Sequence, residues 1–171
     1  MEKEIVNRVA QSPLVTLDLE ELYVHGERVL YDIKENLFEH IILKEKDFRN
    51  FLDAHDWSLY KDNHVAIHCS VDAIIPRWAF MLLAVKFEPY AKTIVYGDLT
   101  TLETQLFIHA IHSIDFTQYK GKKVVIKGCS KLEVPTSAYV ELTRLLKPIA
   151  DSIMYGEPCS TVPVYKIKKS I

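Results

Sequence analysis

The chain has 171 residues, 49% of them apolar, with 5 glycines, 7 prolines and a formal charge of −2. This composition excludes a disordered chain and leaves enough apolar material for one domain with a sizeable core. The near-neutral balance gives no electrostatic ground for binding nucleic acid or an anionic membrane, and the apolar stretch Trp78 to Val85 falls far short of the roughly 20 residues a membrane span needs.

Met1 to Val9 mixes both charges without an apolar run, so no leader segment is expected. The three cysteines are odd in number and widely spaced, which argues against a disulfide framework and for a reducing compartment. The expected location is the cytoplasm. The lysine-rich stretches Lys120 to Lys123 and Lys166 to Lys169 are short and read as solvated turns or tail.

Taken in order, the chain predicts a short helix near Glu4 to Gln11 and strands near Leu14 to Leu19 and Arg28 to Ile33. Gly26 marks a turn between those strands. A helix follows near Asp47 to His55. Val65 to His68 is a short β-branched run of the kind found in buried strands. Pro76 opens the next helix, where a missing N–H costs nothing, and Pro89 ends it. Thr93 to Tyr96 is a return strand closed by Gly97.

The same series then recurs. Aligning the chain with itself so that Asp56 meets Asp115 also lays Tyr60 and Lys61 over Tyr119 and Lys120, and Val65 and Ile67 over Val124 and Ile126. With Gly128 inserted, Cys69-Ser70 falls on Cys129-Ser130. Pro76, Ala79, Leu83, Pro89, Ala91, Tyr96 and Gly97 all find identical partners, ending at Tyr155 and Gly156. About seventeen of roughly 55 positions are identical. The predicted fold class is therefore α/β: one domain over 1–171, internally duplicated as two αβαβ halves (43–97 and 102–156). Its sheet is mostly parallel, with antiparallel strands added at the N- and C-terminal ends, Val162 to Ile167 pairing with one of the first strands. Trp78 to Phe87 is apolar nearly all round, so both its faces should be covered, by the N-terminal segment or by a second subunit. A homodimer is the expected partner arrangement.

In open parallel sheets, ligands gather beyond the carboxyl ends of the strands. Cys69, Cys129 and Cys159 each follow a predicted strand, and each is followed by serine. Thiolate is the reactive and metal-binding form, and a nearby helix N-terminus favours it. Three converging thiolates plus a fourth ligand, for which Asp72 is the nearest candidate, would fit zinc or part of an iron–sulfur cluster. His68, one residue before Cys69 in a strand, points to the opposite face. The same thiols could serve redox or persulfide chemistry. They could equally be packed as small hydrophobes, and the spacing is not that of a CxxC pair.

Other groups carry less. His109 and His112 share a helix face, but no third ligand is nearby in sequence. Asp98 and Glu157 follow matched Tyr-Gly pairs and read as carboxylates at the sheet edge or as caps and turn residues. No glycine-rich phosphate loop and no Ser-His-Asp arrangement can be singled out.

Ile5-Val-Asn-Arg-Val-Ala, Thr16-Leu-Asp-Leu-Glu, the run from Leu43 to Arg49, Lys127-Gly-Cys-Ser and above all Gly156-Glu-Pro-Cys-Ser-Thr-Val-Pro163 resemble the bacterial domain of unknown function family 2480, across the whole chain. The resemblance carries no catalytic residue. It implies an association with iron–sulfur cluster assembly, with assembly proteins as partners. Three functions stay open: an accessory protein holding a metal or cluster through Cys69, Cys129 and Cys159, a thiol redox or sulfur-transfer enzyme, and an interaction module with inert thiols.

Overall fold

The structure, a computed structural model, describes residues 14–128, 131–157 and 159–168. The predicted helix at Glu4 to Gln11 lies outside these residues. The strands are β1 (Leu14–Asp18), β2 (Arg28–Asp32), β3 (His64–His68), β4 (Thr93–Tyr96), β5 (Lys123–Lys127), β6 (Ser152–Glu157) and β7 (Ser160–Lys166). The α-helices among the described residues are α1 (Glu45–Ala54), α2 (Arg77–Phe87), α3 (Leu99–His112) and α4 (Thr136–Leu146). Contacts divide the chain into one compact unit of residues 25–105 and another of residues 1–24 with 106–171.

The unit of residues 25–105 holds a parallel three-stranded sheet in the order β2-β3-β4. Val65 and Ile67 of β3 turn one way and pack with Ile33, with Phe48 and Leu52 of α1, and with Ala79, Leu83 and Phe87 of α2. Burial at every fourth residue of α2 follows from the 3.6-residue helical repeat. The other unit holds a four-stranded sheet, β1-β5-β6-β7, in which only the β6–β7 pair is antiparallel. Its core joins Val124, Ile126 and Ile153 to Phe107 and Ile111 of α3 and to Ala138, Leu142 and Leu146 of α4.

Two expectations about the sheet need correction. The strands near the N-terminus are parallel additions, not antiparallel ones: β1 pairs with β5 and β2 with β3, in two separate sheets. The physical reason is the connection from β2 to β3, which runs through a helix, and a helical crossover returns the chain in the same direction. Likewise β7 pairs with β6, its hairpin neighbour, and not with an N-terminal strand.

Aspartate caps recur at several strand and loop ends. Asp56 and Asp115 each cap a single 3-10 turn, accepting the N–H of Ser58 or Thr117 at 3.0 Å and that residue's hydroxyl at 2.6 Å. Short polar side chains favour this position because they satisfy an otherwise unpaired N–H. Asp18 and Asp32, at the ends of β1 and β2, likewise accept the backbone N–H of Glu20 and Lys34. Pro76 and Pro135 stand immediately before α2 and α4 as their N-terminal caps.

On α4, Glu141 accepts from Arg144 Nη2 at 2.6 Å and lies 2.6 Å from His112 Nε2 of α3. Arg144 first, then His112, hold its carboxyl down at about 2, against an ordinary 4.5. A depressed carboxyl stabilises the fold above the unfolded value, and that contribution is lost as pH falls from 4.5 towards 2. Glu141→Gln is expected to lower the melting temperature clearly at pH 6 and far less at pH 2. An equal effect at both values would rule out the ionic origin.

Candidate functional site

At the carboxyl edge of the β2-β3-β4 sheet, Asp32 accepts the backbone N–H of Ser70 at 3.1 Å and that of Lys34 at 3.1 Å. Burial alone would raise this carboxyl. The hydrogen bonds from Ser70 and Lys34, with His68 nearby, outweigh it and keep the group below its ordinary value. His68 Nε2 stands 3.7 Å from Asp32 Oδ2. Asp98 accepts the N–H and hydroxyl of Thr101 at 2.8 and 2.7 Å, and those bonds lower its pKa. Both carboxylates are thus held ionised as caps.

Cys69 is half-buried and packs on the side of Val65 and Ile67. Its thiol donates to the Val71 carbonyl at 3.3 Å. Asp72 is exposed in the loop that follows. Cys159 is exposed at the turn between β6 and β7, in the other unit, and Cys129 lies outside the described residues. Gly156 falls inside β6 rather than closing it, so Cys159 sits on a hairpin, not on a strand-to-helix exit. Among the described residues no group of three or more His, Cys, Asp or Glu is placed to hold a metal ion.

The corresponding edge of the other sheet is held by Lys127, whose ammonium lies 2.9 Å from Asp18 Oδ2. The hydrogen bond to Asp18 comes first among the causes that raise its pKa. The N–H of Lys131 donates to Glu20 at 2.9 Å. At Gly128 the chain passes close to α4: a Cβ there would stand 2.7 Å from the Tyr139 hydroxyl, which would have to shift.

Beside this edge a groove of about 520 Å³ opens between α4 and the β6–β7 hairpin. Val134, Thr136, Tyr139 and Thr143 line it on the helix side, and Ile126, Tyr155, Val162 and Val164 on the sheet side. Tyr139 and Tyr155 meet edge to face, with ring centroids 5.8 Å apart at 81°. Such walls, mostly apolar with a few hydroxyls, are typical of sites that take organic ligands.

A smaller groove of about 430 Å³ lies in the unit of residues 25–105, lined by Ile75, Arg77, Phe80 and Tyr96. Phe80 and Tyr96 are again edge to face, at 5.1 Å and 78°. In the self-alignment that sets Asp56 on Asp115, these four positions fall in order on Val134, Thr136, Tyr139 and Tyr155 of the larger groove. The difference is the seventh strand, which adds Val162 and Val164 to one groove and has no counterpart beside β4 among the described residues.

Sequence reasoning concentrated on the cysteines and passed over Tyr139 and Tyr155. The signal was present as an aromatic kept at two matched positions in both halves. No described helix is long and apolar enough to cross a membrane. Neither a curated protein nor a solved structure matches the chain. A family model does match, over residues 3–167, and the chain belongs to that family, described as protein of unknown function DUF2480.

Proposed function

We propose that the protein is a binding module whose ligand site is the aromatic-walled groove between α4 and the β6–β7 hairpin. The observation that carries this reading is the pairing of Tyr139 with Tyr155 in a groove of about 520 Å³. A cavity of that size accommodates a drug-sized organic group, and its hydroxyls give such a group one polar anchor. The acidic groups at both strand ends support a binding role over an acid–base one: Asp18, Asp32 and Asp98 are all engaged by backbone N–H groups. We further propose that the two units arose by duplication, with the second copy elaborated into a site by gaining β7. The recurrence of the aromatic pair at matched positions of the two halves supports this.

The test uses 1-anilinonaphthalene-8-sulfonate as an apolar aromatic probe. Its fluorescence should rise saturably with the wild-type protein and fall at least fivefold for Thr143→Trp, which fills the groove. Undiminished binding by that variant would remove the reading.

A second reading is favoured by the exposed thiol of Cys159 on the β6–β7 turn. Here Cys129 and Cys159, which belong to one unit, hold zinc or part of an iron–sulfur cluster, or pass sulfur to assembly proteins. Protein purified without chelator should then carry about one metal equivalent per chain, lost on Cys129→Ala. Metal below a tenth of an equivalent would exclude the metal form of this reading.

A further inference from the structure

The order β2-β3-β4 leaves β4 paired on one side only among the described residues, whereas the corresponding strand β6 carries β7 on its outer side. Exposed edges present unpaired backbone groups and are normally blunted by proline, bulges or lysines within the strand. β4 has none of these: it reads Thr-Ile-Val-Tyr, with Tyr96 70% exposed.

The helix next to it differs from its counterpart at one exposed position. Val85 stands where the other unit has Arg144, and Ile74 in the preceding loop where it has Glu133, while exposed Met81 corresponds to an exposed Val140. Ile74 is 96% exposed, and Met81 and Val85 are 67% exposed. Phe80 joins this helix to the edge strand through its contact with Tyr96. Where the sheet carries β7, the adjacent helix has Arg144 beside Val140 on its outer side. Where the sheet is open, that side is apolar. An exposed apolar patch continuous with an open strand edge marks an association surface.

We propose that this surface binds a second copy of the chain, the two β4 strands pairing antiparallel about a two-fold axis at Val95 to give one continuous six-stranded sheet. Charge complementarity selects this occupant. In that pairing Lys92 of each copy falls opposite Asp98 of the other, and between them the strand is uncharged. Asp98 caps α3 through Oδ1, which leaves Oδ2 for the partner's lysine. The apolar stripe of α2 then faces its own copy alongside the paired strands. This also accounts for a helix that is apolar nearly all round in sequence yet leaves Met81 and Val85 exposed within its own chain.

Sedimentation equilibrium of the full chain tests the proposal. The wild type should show a mass of twice 19.8 kDa at micromolar concentration. Val85→Arg, which installs the residue type found at Arg144, and separately Lys92→Glu, which sets like charges opposite Asp98, should each weaken association at least tenfold. Both sites are on the surface, and unchanged thermal melts would show that both variants fold. A wild type that stays at 19.8 kDa up to about 100 μM, with the edge left to a strand from some other protein, would overturn the proposal. So would a dimer indifferent to both substitutions.

Discussion

Phe87→Ala is expected to remove about 4 kcal/mol of stability, a large share of the roughly 5–15 kcal/mol typical of a domain. Phe87 is fully buried, and three rings meet it nearly edge-on: Tyr31 at 5.3 Å, Trp57 at 4.9 Å and Tyr60 at 4.8 Å. Truncation loses the transfer energy of the ring, opens a cavity and deletes three favourable aromatic geometries. The surrounding groups are poorly placed to collapse into that space. Trp57 is tied to the Leu52 carbonyl through its indole N–H at 2.8 Å, and Tyr31 to Asn36 at 2.7 Å. The other unit has Leu146 at the corresponding position, so Phe87→Leu should cost only about 1–2 kcal/mol. Urea unfolding with an unchanged m-value measures both. A loss below about 1.5 kcal/mol for the alanine variant would show that this aromatic cluster is not the centre of its unit.

The second large effect falls on the hairpin that closes the groove. Gly156 has φ +118°, and a Cβ there would stand 2.7 Å from the Ser160 carbonyl oxygen. The clash is with backbone, so no rotamer change relieves it. Gly156→Ala should therefore cost about 2–5 kcal/mol, from left-handed strain and forced displacement together. The cost should be local. Amides of β7 should lose hydrogen-exchange protection while those of β5 keep theirs, and probe binding should fall with the loss of Val162 and Val164 from the groove wall. Gly121 provides the control: it has φ +68°, yet the nearest atom to an added Cβ is Asp151 Oδ1 at 4.0 Å. Gly121→Ala should cost about 1 kcal/mol and leave binding intact. Equal losses at the two glycines would contradict the steric account.

The parts of this fold visible in the residues are those set by short-range chemistry. The prolines before and after α2 and α4 and the short β-branched strands each depend on a few neighbouring side chains. Strand direction is different in kind. β1 and β2 look alike locally, as Leu-Asp-Leu and Tyr-Asp-Ile, and each ends in a capping aspartate. Nothing within either strand says which sheet it joins or that both run parallel to their partners. That follows from the crossovers, which are tertiary. The two strands also follow each other closely in the chain, Leu14–Asp18 and then Arg28–Asp32, so the long repeat spacing that aligned everything after them does not relate one to the other.

The groove was hidden for a related reason. Its walls come from α4, β6 and β7, and a residue such as Val162 reads simply as part of a strand until its hairpin is folded beside Tyr155. Cys69 is the converse case. Its place after a strand was correctly read, but its thiol turns back to the Val71 carbonyl, a bond between residues two apart that spacing alone does not reveal.

A nitrogen-15 NMR titration with 1-anilinonaphthalene-8-sulfonate examines the groove most directly. Saturable shift changes should be concentrated at Thr136, Thr143, Tyr155, Val162 and Val164, with a much weaker response at the smaller groove of Phe80 and Tyr96. Shift changes scattered over both units, or none at those five amides under saturating probe, would contradict a binding site between α4 and the β6–β7 hairpin.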